Sequence, residues 1–380
     1  MRTSPEEQAL LADAYQVEVE KRHLNPADSA FAIQRGLAKA RAKRTTSGLP
    51  IKWVTAVLIT AITAACFLIG PYRGIMIPQT TAVEPIQDWG VLASFRKLAE
   101  TDIDRETIES AINNDYLQLV NRSVRTGVYQ LNIDAIMADE NRITVLYTAR
   151  TDDSQEIYNV NSARITDGVT HRKLDNGNVG GMQLNDGKHT LHGRETIDID
   201  RSNPLPEKIL LDFQIASVDP SKLDDPQIGT KVSEMRYSDR LKATLDLDPK
   251  FSVPQTEVLE LNKLFTVGGY EVMLSEVEIS PLVTRARFIY EPEKEIDYET
   301  KLKISDAVNP VKIVSTTKDG KQTELSSVGG MGTEDGMVYS FSSNLLDDPQ
   351  SLVLKLHGVP GKVYDDLQEA ERNMIELKIK

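Results

Sequence analysis

Apolar and polar residues follow three different patterns along this chain. From Ser4 to Arg22, and again from Asp28 to Arg44, apolar side chains recur every three or four residues. From Trp53 to Tyr72, 20 consecutive residues carry no charge. Beyond Arg125 the period falls to two. The first pattern predicts two short amphipathic helices, the second a membrane span, and the third a series of half-buried strands.

The first helix opens on Ser4-Pro5-Glu6-Glu7, a capping box with proline at the first helical position. It sets Leu10, Leu11, Ala14, Tyr15 and Val17 on one face. Asn25-Pro26 breaks the chain, and Asp28 or Ser29 can cap a second helix carrying Ala30, Phe31, Ile33, Leu37 and Ala40. Two helices of about 20 residues cannot bury those faces alone. Residues 1–50 therefore read as a partner-binding segment, with Leu10, Leu11, Tyr15, Phe31, Ile33 and Leu37 as its contact residues. A basic strip lying on anionic lipid competes for the second helix, which carries Arg35, Lys39, Arg41, Lys43 and Arg44, and an inert tail competes for the whole.

At 1.5 Å per residue, the 20 uncharged residues of a transmembrane helix expected over 51–72 span about 30 Å, the hydrocarbon thickness of a bilayer. Its start, well away from residue 1, separates it from a cleaved signal peptide. Six basic residues from Arg35 to Lys52 precede it and Arg73 alone follows closely, so the N-terminus faces the cytoplasm and the C-terminus the outside. Residues 73–90, with Pro78 and Pro85 and no periodicity, read as a juxtamembrane linker.

Past the linker, Ile103, Thr107, Ile108, Ala111 and Ile112 lie at helical spacing, and period-two strands follow. Gly127-Val128-Tyr129-Gln130-Leu131-Asn132-Ile133 is echoed by Gly268-Gly269-Tyr270-Glu271-Val272-Met273-Leu274. Each is followed by a strand ending in tyrosine, Tyr147 or Tyr290. From each tyrosine the chain runs 59 residues to a proline opening another strand, at Pro206 and Pro349. Matching strands at matching spacing predict two copies of one antiparallel unit. Asp-Gly turns at residues 167, 186, 319 and 335 favour two tandem β-sandwiches over a parallel sheet. The expected domains are 91–250, with an N-terminal helix, and 251–380, separable by protease between Leu247 and Glu257 and closed by a terminal strand through Ile375, Leu377 and Ile379.

Charge and composition narrow the function. The chain carries 57 acidic and 44 basic residues, and from residue 74 onward 51 acidic against 34 basic, which argues against direct nucleic-acid binding. The single cysteine, Cys66, lies inside the apolar stretch and excludes an intrachain disulfide or a multi-thiolate zinc site. No P-loop, G-x-S-x-G or dinucleotide fingerprint occurs, so neither an enzyme nor a cofactor is expected. His189, His192 and Glu195 have a ligand-like spacing only on a helix, and the flanking Gly187 and Gly193 predict a strand instead. Asp102-Ile103-Asp104 starts like a calcium loop but has Thr107 and Asn113 where glycine and glutamate are needed. Tyr129, Tyr147, Tyr270 and Tyr290 read as core.

The basic-flanked anchor, the strand pair YQLNIDAI and ITVLYTA, the strand ILLDFQIASV and the stretch from Leu261 to Glu291 together resemble a group of Gram-positive membrane proteins. These are classed under domains of unknown function and treated as anti-sigma factors. The resemblance runs from the anchor to the C-terminus; the N-terminal segment matches only in architecture. It implies immunoglobulin-like modules outside and a sigma-factor-binding segment inside, and brings no catalytic residues. The zinc-type anti-sigma fold, with histidine and paired cysteines, does not fit. The expected function is thus a single-pass regulator that holds an extracytoplasmic-function sigma factor and senses an unidentified ligand outside. The alternative is a cell-surface binding or adhesion protein.

Overall fold

The computed structural model describes residues 89–201, 203–220, 235–291, 296–308, 310–357 and 373–380. The N-terminal segment, the apolar stretch and nearly all of the expected linker lie outside them, together with Leu10, Leu11, Tyr15, Phe31, Ile33 and Leu37. Among the described residues no helix is long and apolar enough to cross a membrane. All of them belong to one unit, Ile86–Lys380.

That unit is mainly β, with every strand pair antiparallel. A 3-10 turn, Gly90–Phe95, leads into α1 (Arg96–Thr101) and α2 (Arg105–Asn113). Trp89 is already buried in the core, so the folded unit reaches into the stretch expected to be linker. The strands of the first half are β1 (Gln118–Thr126), β2 (Tyr129–Ala138), β3 (Arg142–Arg150), β4 (Glu156–Asp167), β5 (Asp175–Asn185), β6 (Thr190–Ile199), β7 (Lys208–Val218), β8 (Arg236–Tyr237) and β9 (Leu241–Asp246). A large sheet runs β1-β2-β3-β6-β5; in a smaller one β7 pairs with β4, β8 and β9. Strict alternation in Lys208–Val218 sends Ile209, Leu211, Phe213 and Ile215 inward, where they meet Leu131, Ile133 and Tyr147 of the large sheet in one core. The Tyr147 and Phe213 rings lie 5.0 Å apart.

The large sheet is covered on its other face as well. Residues 142–149 of β3 are all buried, which a sheet with one wet face would not allow. The covering element is the helical segment: Phe95 packs edge-on against His192 of β6, and Asp102 at the end of α1 grips Arg194 two residues further along that strand.

A 3-10 turn at Pro249–Ser252, capped by the Asp248 side chain, connects the halves. The second half has β10 (Glu257–Val267), β11 (Tyr270–Ile279), β12 (Thr284–Tyr290), α3 (Tyr298–Val308), β13 (Pro310–Thr317), β14 (Gln322–Gly332), β15 (Gly336–Phe341), β16 (Pro349–Leu356) and β17 (Ile375–Lys378). Gly268 and Gly269 both have positive φ, as the two-residue turn between β10 and β11 requires. The order β10-β11-β12-β15-β14 repeats that of the first large sheet, and β13-β16-β17 repeats β4-β7-β9.

The register of the repeat corrects the alignment expected from the tyrosines. Ile133 pairs with Tyr147 in the first half and Leu274 with Phe288 in the second, so Phe288, not Tyr290, stands in the place of Tyr147. The halves also differ at one seam. In the second half β14 pairs with β13 through its first residues and with β15 through its last, joining both sheets. In the first, β4 meets the β5 side through a single bridge, Thr166 to Lys173, and through Gln183, whose amide bonds the backbone N–H and C=O of Val160.

The expectation of a protease-open boundary meets a different arrangement. Phe251 is buried in the first core, and the Glu140 carboxylate accepts from the backbone N–H groups of Gln255 and Thr256 at 3.1 and 2.9 Å. The connection is fastened to the first half over its length.

Candidate functional site

Among the described residues, much of the buried charge gathers at the junction of the two halves. The turn between β2 and β3 reads Asp139-Glu140-Asn141-Arg142. Asp139 is completely buried and acts as an acceptor hub: Oδ1 takes the N–H groups of Asn141 and Arg142 at 2.8 Å, and Oδ2 takes Leu282 N–H from the β11–β12 turn at 2.9 Å. Burial pushes this carboxyl up, and the backbone donors offset part of that rise. Leu282 in turn is fully buried within the first core.

Arg142 is the cationic counterpart. Its guanidinium donates to Asp198 at 2.7 Å, Asp104 at 3.1 Å and the Leu282 carbonyl at 3.2 Å. Arg285 of β12 reaches back with bonds to the Asn141 side chain and carbonyl at 2.9 and 3.1 Å. Removing one member would strand the others, and a buried ion pair broken on one side costs about 3 to 5 kcal/mol. The arrangement locks the halves together.

The pair Asp102 and Asp104, considered for calcium, is consumed in this network: Asp102 binds Arg194 through two bonds of 2.6 and 2.9 Å, and Asp104 binds Arg142. His189 and His192 also serve local structure. His189 Nδ1 lies 3.0 Å from the Gln155 carbonyl, and His192 Nδ1 lies 3.1 Å from Thr148 Oγ1. Among the described residues no group of three or more potential ligands is placed to hold a metal ion. Tyr147 and Tyr290 are buried, Tyr129 and Tyr270 half-buried.

Beside the network a cleft of about 490 Å³ opens between the β6–β7 connection and the outward face of the second large sheet. Asp198, Asp200 and Arg201 form one wall, Glu276, Glu278, Arg285 and Arg287 the other, with Met331 and Val338 on the floor. Arg201 crosses the mouth to Glu278 at 3.0 Å, and Arg287 is held by Asp335. A cleft of mixed charge over an apolar floor suits recognition of a polypeptide more than of a small apolar ligand. Its residues come from three stretches, 198–201, 276–287 and 330–340, which is why periodicity gave no sign of it.

One core position is chemically out of place. Glu195 pairs with Val145 across β3 and β6, which turns it to the inner face, and its carboxylate rests on Gly181 of β5. The repeat puts Tyr339 at this position, resting on Gly330. Burial pushes the Glu195 carboxyl up to about 7, only partly opposed by neighbouring Arg194.

No family model matches the chain, and no curated protein does. Among solved structures it is similar to the conserved domain protein from Bacillus anthracis, at 13% identity and a TM-score of 0.45, over 70% of this chain and 93% of that one.

Proposed function

We propose that this chain is a single-pass membrane regulator, an anti-sigma factor that holds an extracytoplasmic-function sigma factor on residues 1–50 and receives an envelope signal through two immunoglobulin-like β-sandwiches outside. The observation that carries the reading is the order of segments in the sequence. A 50-residue N-terminus with two short apolar faces precedes an uncharged 20-residue stretch whose basic flank lies on the N-terminal side, and an acidic, mainly β unit follows. Apolar faces that cannot bury themselves call for a protein partner, and each large side chain among Leu10, Leu11, Tyr15, Phe31, Ile33 and Leu37 offers about 1.5 to 3 kcal/mol on burial. The resemblance to Gram-positive anti-sigma proteins points the same way. The polar groups of the outer unit serve to couple its halves, which suits a body that transmits ligand binding better than one that performs chemistry.

The test uses the full-length chain purified from its host membrane. A sigma factor should co-purify, and the double change Leu11→Asp with Phe31→Asp should abolish this while leaving membrane insertion intact. Deleting residues 1–50 should raise transcription of the protein's own operon. Absence of both effects would leave the cell-surface adhesion reading as the better account.

A further inference from the structure

The repeat supplies an internal control for every surface of the second half. In the first half the outward face of the large sheet lies beneath the helical segment, and its outward side chains Ala135, Met137 and Leu146 are fully buried. Register carries each of these to the second half: Ala135 corresponds to Glu276, Met137 to Glu278 and Leu146 to Arg287. Arg194, the anchor for Asp102, corresponds to Val338.

Among the described residues no helix lies over that second face. The connection that precedes β10 is a four-residue 3-10 turn packed into the first core, and α3 contributes Ile304, Ala307 and Val308 to the second core instead. Three exposed large apolar side chains of the unit stand on this face: Val258 and Leu264 on β10, and Met331 on β14, exposed by 42%, 59% and 49%. They continue into two cross-strand apolar runs, Leu264-Met273-Ile289 and Val338-Met331. Exposed apolar runs on a sheet face mark an interaction surface.

Charge says what fits there. The acidic side chains alongside the runs are Glu260, Glu271, Glu276 and Glu278, and of these four only Glu278 has a cationic partner among the described residues. The two arginines of the face are already engaged, Arg285 with Asn141 and Asp198 and Arg287 with Asp335. The surface offers apolar grooves and unspent negative charge, in a frame whose twin accepts a helix.

We propose that the outward face of the second large sheet, continuous with the cleft beside Arg201, is a docking surface for a cationic amphipathic helix of a partner protein. The helix lies across the strands as α1 and its preceding turn do in the first half, with apolar residues on Val338, Met331 and Met273 and lysines or arginines over Glu260, Glu271 and Glu276. This surface stands on the internal repeat and does not depend on the anti-sigma reading.

The test uses the full chain in phosphatidylcholine nanodiscs, with p-benzoylphenylalanine placed at Leu264, at Met331 or, as a control off this face, at exposed Val169 in the β4–β5 turn of the first half. The probe is an 18-residue Leu/Lys amphipathic peptide, alongside a Leu/Glu peptide of the same pattern. Saturable crosslinking of the Leu/Lys peptide at positions 264 and 331, with none at 169, is expected. Val338→Asp should lower it at least tenfold even though the change adds negative charge. The double variant Glu271→Lys with Glu276→Lys, which leaves the apolar floor intact, should turn the preference toward the Leu/Glu peptide. Equal labelling at 169, indifference to Val338→Asp, or an unchanged peptide preference in the double variant would each overturn the proposal.

Discussion

Glu195 should make the first half more stable in mild acid than at neutral pH, and Glu195→Gln should remove that dependence. The carboxyl sits in the core between the two sheets and titrates near 7 against an ordinary value of 4.5, because burial disfavours the ion. The groups beside it do little to help: Tyr147 on β3 is a neutral phenol and Gly181 on β5 has no side chain, and neighbouring Arg194 offsets only part of the cost. A folded-state value above the unfolded one means that the folded protein holds the proton longer. The stabilisation is complete below about pH 4.5, shrinks as pH rises toward 7, and is gone above it. A shift from 4.5 to about 7 corresponds to roughly 3 kcal/mol over that window. The glutamine variant is neutral at every pH, so the difference between the two proteins isolates this group from other carboxyls that burial also raises, such as Asp134 and Asp139. Urea melts followed by tryptophan fluorescence, at half-unit steps from pH 4.5 to 8.5, measure it. Near-equality at pH 4.5 and an advantage of about 3 kcal/mol for the variant at pH 8 are expected. Parallel curves for the two proteins would refute the reasoning, since the carboxyl would then be ionised at equal cost in both states.

Two further substitutions test the core and the junction. The Tyr147 hydroxyl is buried without a hydrogen-bond partner, and the repeat places Phe288 at the same point. Tyr147→Phe should therefore raise stability by about 1 kcal/mol, read from thermal melts, whereas a loss of that size would show that the hydroxyl is satisfied. Asp139→Ala leaves three backbone N–H groups without their acceptor and Arg142 without a nearby counter-charge. It should cost about 3 kcal/mol or more and split a single calorimetric transition into two, with new protease cleavage between Pro249 and Thr256. One unchanged transition would mean that the halves are not coupled through this turn.

Much of the fold could be read from alternation. Strands such as Lys208–Val218 and Tyr129–Ala138 declare themselves because one face is apolar and the other is not, and the paired glycine-led strings at 127 and 268 announced the repeat. The register error came from matching residue type: Tyr147 and Tyr290 are alike in chemistry but two positions apart in the repeat. A better signal lay in the chain, since Val-Gly-Gly-Met followed by Asp-Gly occurs at 179–187 and again at 328–336 with identical spacing. Those glycines recur because Gly181 and Gly330 lie under the side chains of Glu195 and Tyr339, where a Cβ would fall 2.9 and 3.1 Å from the nearest atoms. The six-residue α1 is too short for a 3.6 period to register, and α3 has a mixed surface with only three buried residues.

The junction was illegible for a different reason. Asp104, Asp139, Arg142, Asp198 and Leu282 are ordinary turn, helix-cap and strand-end residues one by one, and only the fold brings them within 3.2 Å of their partners. Duplication makes such features visible once the structure is known, because equal positions in the two halves ought to be doing equal work. Where the halves agree, as at Ile133 and Leu274, the residues pack the core of the unit. Where they part, the described residues show a carboxyl in place of a phenol at Glu195, an open seam beside β5 in place of a closed one, and a sheet face without the helices that roof its twin. The last of these leaves, among the described residues, apolar surface that the twin shows can be covered, and that contrast is the ground on which contact with a partner is proposed for it.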